Sequence, residues 1–219
     1  MYQKYHTDAL VIGGRSLGES DKLLTLFTRD FGLVRARATA LRKERSRMRY
    51  AVSELSFAHV SLVQGLRGWR LAGASPRRAF GASDIRAAGA WARIAQLVER
   101  LVKGEEANLY LFSTLLDAHA ALSESVGDIC ATIELVCVAR VLYALGYLSK
   151  DVLDTAPARA GLPVRGTQTG THLPARSAQA GAGGLFTHTA YTMPDLEEAQ
   201  AKREPLLFSV NKALSETQL

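Results

Sequence analysis

The densest chemical signal in the chain is a run of cationic side chains between residues 35 and 49. This stretch carries seven cations against a single acid, Glu44. The cations are Arg35, Arg37, Arg42, Lys43, Arg45, Arg47 and Arg49. Like charges at this density repel one another unless an anion lies over them. The stretch therefore predicts contact with the backbone phosphates of a nucleic acid, with little sequence specificity.

Aromatic side chains lie beside arginines at two places that follow this stretch. Tyr50 comes directly after Arg49, and Trp69 lies within a second basic group. Unstacked bases rest on such rings while neighbouring cations hold phosphates, so Tyr50 and Trp69 are candidate stacking residues. Phe27 and Phe57 are expected in the core instead. The second basic group consists of Arg67, Arg70, Arg77 and Arg78.

A glycine-rich segment imitates a nucleotide-binding motif. Residues 13–20 follow an apolar run and have the G-x-x-x-x-G-x-[ST] frame of a phosphate-binding loop. The position that must be lysine is Glu19, whose carboxylate would repel the phosphates that the lysine attracts. We therefore expect an ordinary turn and no bound nucleotide.

Other residues that could do chemistry lack partners at a useful spacing. Cys130 and Cys137 are two helical turns apart, too far for a disulfide or a shared metal, and are expected to be buried thiols. His172 and His188 have no cysteine nearby, whereas metal sites usually have three or four ligands. His59 and His119 are expected to be structural. No nucleophile stands in a recognisable catalytic motif, so the sequence predicts neither an enzyme nor a cofactor.

Charge is distributed unevenly along the 219 residues. Residues 1–80 carry a net charge of +9 and residues 81–219 a net charge of −3. This asymmetry favours a polyanionic partner for the first part of the chain. The chain has no apolar run long enough for a membrane span and no apolar segment near Met1 that suggests a signal peptide. With two cysteines, a reducing cytoplasmic location is expected.

The first part of the chain is expected to form a small β-barrel. Short apolar or alternating runs separated by turn residues predict five strands. In residues 33–40, Val34, Ala36 and Ala38 alternate with Arg35 and Arg37, as in a strand with one buried and one cationic face. The predicted strands are 9–12, 23–29, 33–40, 53–63 and 66–72.

The rest of the chain is expected to be helical. Ser83, Asn108 and Asp128 are candidate N-caps of three amphipathic helices, and the tail from Leu196 to Leu219 recovers a helical pattern that can begin near Pro205. Residues 155–190 have six Gly, three Pro and no acid, which predicts a mobile loop. We thus divide the chain into a barrel domain, 1–80, and a helical bundle domain, 81–219.

At several points the sequence resembles the RecO family of bacterial recombination mediators. The similarity begins with residues 9–12 and continues through Gly18-Glu19-Ser20-Asp21, residues 24–28 and residues 32–35. The basic segment 43–49, Leu145-Gly146-Tyr147 and the end of the chain from Asn211 are also similar. The order and spacing of these segments, rather than any one of them, carry the resemblance.

The resemblance implies an α+β protein with an N-terminal OB-fold β-barrel followed by an α-helical domain. Such proteins bind single- and double-stranded DNA through the basic surface of the barrel and anneal complementary strands. With a RecR-like protein they help RecA to displace the single-stranded DNA-binding protein, SSB, without hydrolysing ATP.

Two departures from the family pattern affect what can be expected of this chain. Many members carry a four-cysteine zinc site, whereas the matching stretch 155–188 contains no cysteine, so no metal is expected. The family's helical domain binds the C-terminal tail of SSB in an apolar pocket with a basic rim. Before Glu134-Leu135 this chain lacks the usual basic residue, so Lys103 or Arg140 is the candidate rim cation.

Three functions remain open on the sequence alone. A RecO-like DNA repair and recombination protein fits best. An RNA-binding or translation-associated OB-fold protein would have a similar groove. A helical scaffold whose basic part only aids solubility is the third possibility.

Overall fold

The structure, a computed structural model, describes residues 3–43, 46, 48–81, 85–125, 127–149 and 184–217. Within these, a β-barrel is followed by a helical region, which confirms the predicted fold class. The strands are β1 (Lys4–Leu17), β2 (Asp21–Thr28), β3 (Gly32–Ala38), β4 (Phe57–Gly65) and β5 (Gly68–Arg78), with a short helix α1 (Met48–Ala51) between β3 and β4.

The five strands close in the order β1-β2-β3-β5-β4. All neighbours are antiparallel except β3 and β5, which run parallel over a short stretch at Ala36–Trp69 and Arg37–Arg70. β1 pairs with β4 through its first half and with β2 through its second half, and a register shift between Val11 and Gly13 accompanies this change. One long, irregular strand thus closes the barrel.

Small and branched side chains fill the barrel because its interior is narrow. The interior includes Ala9, Val11, Leu24, Leu26, Val34, Ala36, Ala58, Val60 and Leu62, all fully buried. The predicted alternation of β3 is confirmed: Val34, Ala36 and Ala38 point inward, and Arg35 and Arg37 are exposed.

The helical region consists of α2 (Ile85–Leu101), α3 (Leu109–Glu124), α4 (Ile129–Ala144), α5 (Gly184–Thr187), α6 (Met193–Ala201) and α7 (Arg203–Glu216). Asn108 caps α3 as predicted, because its side chain accepts a hydrogen bond from the Leu111 amide at 2.9 Å. Asp128 is at the N-cap of α4 but makes no capping hydrogen bond with its side chain. Ser83, the third candidate cap, is outside the described residues.

The barrel and the helices share one apolar interface. Leu10, Ile12, Phe27 and Leu33 of the barrel belong to the same buried cluster as α2, α3 and α4. The Phe27 ring lies 6.2 Å from that of Phe112 on α3, which confirms the expected core position of Phe27. The helical region therefore rests on one side of the barrel.

Some local predictions were wrong. Residues 53–56 form a turn rather than the start of β4, and α1 has no counterpart in the predicted elements. Gly184–Thr187 is one helical turn inside the segment predicted as an irregular loop. Most of that segment, together with His172, lies outside the described residues.

Candidate nucleic-acid interface

The outer face of β2 and β3 is built by simple alternation. Odd-numbered residues of both strands point outward, because the even-numbered ones fill the barrel. Along β3 the outward series is Leu33, Arg35 and Arg37, which changes from buried to exposed. The exposed end of this face is where the cations are concentrated.

Strand register places four cations in one line around the barrel. Arg15 is opposite Leu23, Leu23 is opposite Arg37, and Arg37 is opposite Arg70. The same line continues from Arg70 through Val63 to Lys4. Neighbouring strands lie about 4.8 Å apart, so Arg37 and Arg70 lie side by side, whereas one strand separates Arg15 from Arg37 and another separates Arg70 from Lys4. We call Lys4, Arg15, Arg37 and Arg70, all exposed, the cationic row.

Asp21 holds one member of the cationic row in place. Its Oδ2 accepts hydrogen bonds from Nε and Nη2 of Arg37 at 3.0 and 2.7 Å, and its Oδ1 accepts from the Ala40 amide at 2.9 Å. The Ala40 amide, followed by the Arg37 guanidinium, lowers the pKa of Asp21. The ionised carboxylate therefore fixes the direction of the Arg37 side chain and the path of the backbone at Ala40, just after β3. Its negative charge also offsets part of the positive potential of the cationic row.

A polar cleft of about 290 Å³ adjoins the cationic row on the side of α2. Arg15 and Arg35 line it together with Thr25, whose hydroxyl donates to Oε1 of Glu99 on α2 at 3.2 Å. Neither arginine forms an ion pair with any residue that the structure describes. An anion that enters the cleft would meet both guanidinium groups and also the Glu99 carboxylate, which lines the same cleft.

The loop after β3 adds cations beside the β1–β2 turn. The Arg42 amide donates to the Ser20 carbonyl at 3.0 Å, and its Nη1 donates to the Gly18 carbonyl at 3.2 Å. Lys43 is exposed next to it. Arg45 and Arg47 are outside the described residues, so their prediction is not examined by the structure.

Of the two predicted stacking residues, Tyr50 is the one whose ring is exposed. It is 68% exposed, and the Arg49 guanidinium lies 5.1 Å from the centre of its ring. Such an arginine–tyrosine pair offers a flat apolar surface next to a charge, as stacking on a nucleobase requires.

The prediction that Trp69 stacks on a base must be corrected. It is only 6% exposed, because its ring packs against Tyr5 and Phe31 at 5.5 and 5.2 Å, and its Nε1 donates to Oε2 of Glu105 at 2.8 Å. The indole therefore packs against two rings, and its N–H is bound within the protein. Trp69 closes one part of the barrel core and offers no surface to a base.

The remaining arginines of the second basic group do not all join the cationic row. Arg67 is exposed in the turn between β4 and β5, three residues before Arg70. Arg77 and Arg78 lie at the far end of β5, where Arg78 is opposite Phe57. A strand rises about 3.3 Å per residue, so about 23 Å of strand separates Arg77 from Arg70. Arg77 and Arg78 thus lie apart from the converging cations.

The prediction that Arg140 is a rim cation of a partner-binding pocket must also be corrected. It is fully buried in α4 and donates to the carbonyls of Leu185, Thr189 and Ala190 at 2.7, 2.8 and 3.0 Å. Its guanidinium also lies 4.6 Å from the Tyr191 ring centre. Arg140 fastens residues 185–191 to α4 and is inaccessible to a partner, whereas Lys103 is exposed.

Sequence reasoning missed Lys4 and Arg15 as members of the basic surface. Arg15 lay in the segment interpreted as a turn, but β1 continues through it to Leu17 and turns only at Gly18, where φ is +64°. β2 follows this turn, so the segment has no helix N-terminus of the kind that a phosphate-binding loop requires. The alternation of exposed residues near Arg15 was too irregular to reveal a strand.

The histidines and cysteines have structural surroundings. Nδ1 of His59 is 2.8 Å from Oδ1 of Asp8, and His119 is buried with its Nε2 3.0 Å from the Leu55 carbonyl. Burial lowers the pKa of His119 to about 4 and raises that of the Cys137 thiol to about 12. In the described part of the chain, no group of three or more potential ligands could hold a metal ion, and no helix could cross a membrane.

Comparisons with known proteins agree on one family. Residues 1–71 match the family model described as "Recombination protein O N terminal". A protein named DNA repair protein RecO from Heliobacterium modesticaldum is 34% identical over 145 residues, which is 65% of this chain and 52% of that protein. The protein of the same name from Desulfitobacterium hafniense (strain Y51) is 43% identical over 76 residues, or 35% of this chain and 28% of the relative.

A third protein named DNA repair protein RecO, from Pelotomaculum thermopropionicum, is 31% identical over 129 residues. That match covers 58% of this chain and 50% of the relative. The chain thus spans about half the length of these curated relatives, or less. The family-model match over residues 1–71 includes four strands of the barrel and the start of β5.

Proposed function

Because the chain belongs to the RecO family, we propose that it is a DNA repair protein that binds single- and double-stranded DNA through its barrel. In this proposal it anneals complementary strands and, with a RecR-like partner, helps to load RecA onto DNA coated with SSB. The proposed role is that of a binding protein without catalytic activity or a cofactor.

The observation that carries the proposal is the cationic row. Four cations from three strands lie in one line of the register, and Arg35, Arg42 and Lys43 add charge beside that line. A DNA strand is a regular line of negative charges, and cations that follow it release condensed counterions on binding. A line of cations set by strand register supports DNA binding better than the net charge of the chain does.

The arrangement of these cations favours contact with phosphates over contact with base edges. The row lies on the convex outer surface of the strands, and its side chains are three long arginines and a lysine. Phosphate contacts set position and orientation but carry no sequence information. We therefore propose binding with little sequence preference and with a strong dependence on salt.

Annealing follows from the same electrostatics. Two complementary strands repel each other along their whole length, and a polycationic surface that binds both reduces this repulsion until bases meet. No covalent step is needed, so the chemistry requires neither a nucleophile nor a bound nucleotide. The strand–turn–strand geometry at Gly18 supports this view of the protein as a mediator rather than an ATPase.

The proposed protein partners come from family membership. The helical region is proposed to bind the acidic C-terminal tail of SSB, with Lys103 as a rim cation, and a RecR-like protein is proposed to bind the complex. RecA acts indirectly, since it takes the place of SSB on DNA. The buried position of Arg140 removes it from this proposal.

The test is strand annealing on oligonucleotides coated with SSB, with and without a RecR-like partner. We expect annealing that falls steeply with salt and that needs no ATP. Matched DNA and RNA oligomers in competition separate a DNA-binding role from the RNA-binding alternative. Equal or stronger competition by RNA, or no retardation of a random single strand at micromolar protein, would contradict the proposal.

A further inference from the structure

A second concave surface lies at the end of the barrel, beneath the β1–β2 turn. It is a pocket of about 420 Å³ between β2, the loop that follows β3, and α1. The volume falls within the range of small-ligand sites. This surface is separate from the polar cleft beside α2, since Arg15, Arg35 and Glu99 do not line it.

One part of the pocket is apolar, although the surface around it is cationic. Leu41 and Val52 are 3% and 2% exposed and belong to the barrel core, so only a small apolar patch of each faces the pocket. Tyr50 stands beside them with 68% of its surface exposed. An exposed aromatic ring next to an apolar patch favours a flat, partly apolar ligand.

Cations surround this apolar part. Lys22, Arg42 and Arg49 all line the pocket, and Arg49 lies over the Tyr50 ring. Arg42 is anchored to the β1–β2 turn through the Gly18 carbonyl, three residues beyond Arg15 of the cationic row. A strand that follows the row would therefore reach the pocket past the β1–β2 turn, where Glu19 is the exposed acid that it would pass.

We propose that this pocket binds one unstacked nucleotide of a single DNA strand. The base stacks on Tyr50 against the patch of Leu41 and Val52, while its phosphate contacts Arg42, Arg49 and Lys22. This inference rests on the proposed function and adds to it a subsite that only a base without a paired, stacked neighbour can enter. Binding is thereby biased toward single-stranded DNA.

Glu54 gives the subsite an internal competitor. Its Oε1 accepts a hydrogen bond from Nζ of Lys22 at 2.6 Å, at the edge of the same pocket. A phosphate that binds Lys22 must displace this carboxylate or share the lysine with it. Removing the negative charge of Glu54 should therefore strengthen binding at the subsite.

The first experiment measures the base-dependent part of affinity. Anisotropy titrations compare oligo(dT) of about 15 nucleotides, within the site sizes of OB folds, with an abasic strand of equal length and charge. Stacking of a base on an aromatic ring predicts that the parent protein prefers oligo(dT) at least about fivefold. Tyr50→Ala should abolish this preference, and Tyr50→Phe should keep it.

Phe208→Ala is the matched control, because Phe208 is 69% exposed on α7, away from the barrel. If Tyr50→Ala keeps the preference, or if the parent binds both strands equally, the subsite is refuted while DNA binding stands. If the parent binds neither strand, the proposed function fails and the subsite fails with it. Parent binding of both kinds of strand thus separates the two failures.

The second experiment uses a gain of affinity, which loss of folding cannot imitate. Glu54→Gln should bind oligo(dT) more tightly than Glu216→Gln, which removes the same charge from the exposed end of α7. The gain should disappear when Tyr50→Ala is combined with Glu54→Gln, because the phosphate is then no longer held by a stacked base. Equal affinity of the two single variants would overturn the assignment of the phosphate to Lys22.

Discussion

Replacing three free arginines of the basic surface should change how DNA binding depends on salt. The triple variant Arg15→Ala, Arg35→Ala and Arg70→Ala removes cations that form no ion pair with any described residue. Arg37 is left unchanged because its hydrogen bonds to Asp21 also hold the exit of β3. All three replaced side chains are exposed, so the fold should tolerate their loss.

The size of the effect follows from counterion release. Each lost contact with a single-stranded phosphate reduces the slope of log K against log salt by about 0.7, so three contacts reduce it by about 2. Between about 50 and 200 mM salt, the parent should lose about 20-fold more affinity than the triple variant loses. At low salt the variant should bind more weakly whatever the sequence of the strand.

The assay is fluorescence anisotropy with one labelled single strand at several salt concentrations. The control is a second triple variant, Arg29→Ala, Arg77→Ala and Arg86→Ala, which has the same net charge but loses exposed arginines outside the cationic row and its polar cleft. The control should keep the parent slope. If both triple variants reduce the slope equally, net charge alone accounts for binding, and the alignment of cations on the barrel has no functional meaning.

Three further substitutions examine the surroundings of this surface. Trp69→Phe removes the N–H that donates a hydrogen bond to Glu105, and it should lower the free energy of unfolding in urea by about 1–3 kcal/mol. A large loss of DNA affinity in a folded variant would show that the indole stacks on a base after all. Gly32→Ala should destabilise more than Gly68→Ala, because both have positive φ but only at Gly32 would a Cβ meet the Glu106 carbonyl oxygen, 2.2 Å away; equal losses would mean that the 104–106 segment moves freely. Burial lowers the pKa of His119 to about 4, below its unfolded value of about 6.5, so its contribution to stability is present above about pH 6.5 and is lost as pH falls toward 4. The free energy of unfolding should therefore drop by up to about 3 kcal/mol more in the parent than in His119→Gln over this range. Identical pH profiles would show that His119 takes up a proton as easily in the folded state as in the unfolded state.

The sequence predicted the features that depend on local pattern. Alternation in residues 33–38 identified β3 and its inward and outward faces, since a strand with one buried face has a period of two. Asn108 marked the start of α3 because a side-chain acceptor satisfies the first free amides of a helix. Such features need only neighbours in the chain.

The features that depend on tertiary structure were harder to predict. Trp69 lies between arginines in sequence, but the burial of its ring depends on Tyr5, Phe31 and the distant Glu105. Arg140 looked like a surface cation because no local pattern reveals three carbonyls about 45 to 50 residues further along the chain. The register that aligns Arg15 with Arg37 and Arg70 likewise depends on which strands pair.

The helical region decides where on the barrel DNA could lie. The outward series along β2 runs from Phe27 through Thr25 to Leu23, in steps of about 6.7 Å. Phe27 is buried under the helices, Thr25 is bonded to Glu99 at their edge, and Leu23 lies beyond them in line with Arg15 and Arg37. Arginines lie at this uncovered end because a guanidinium beneath the helices would require partners such as the three carbonyls that Arg140 has.

The same helices keep Leu10, Phe27 and Leu33 from water, so a barrel truncated at residue 80 would expose an apolar face next to its cations. The proposed DNA binding is therefore better tested by substitution in the whole chain than by truncation.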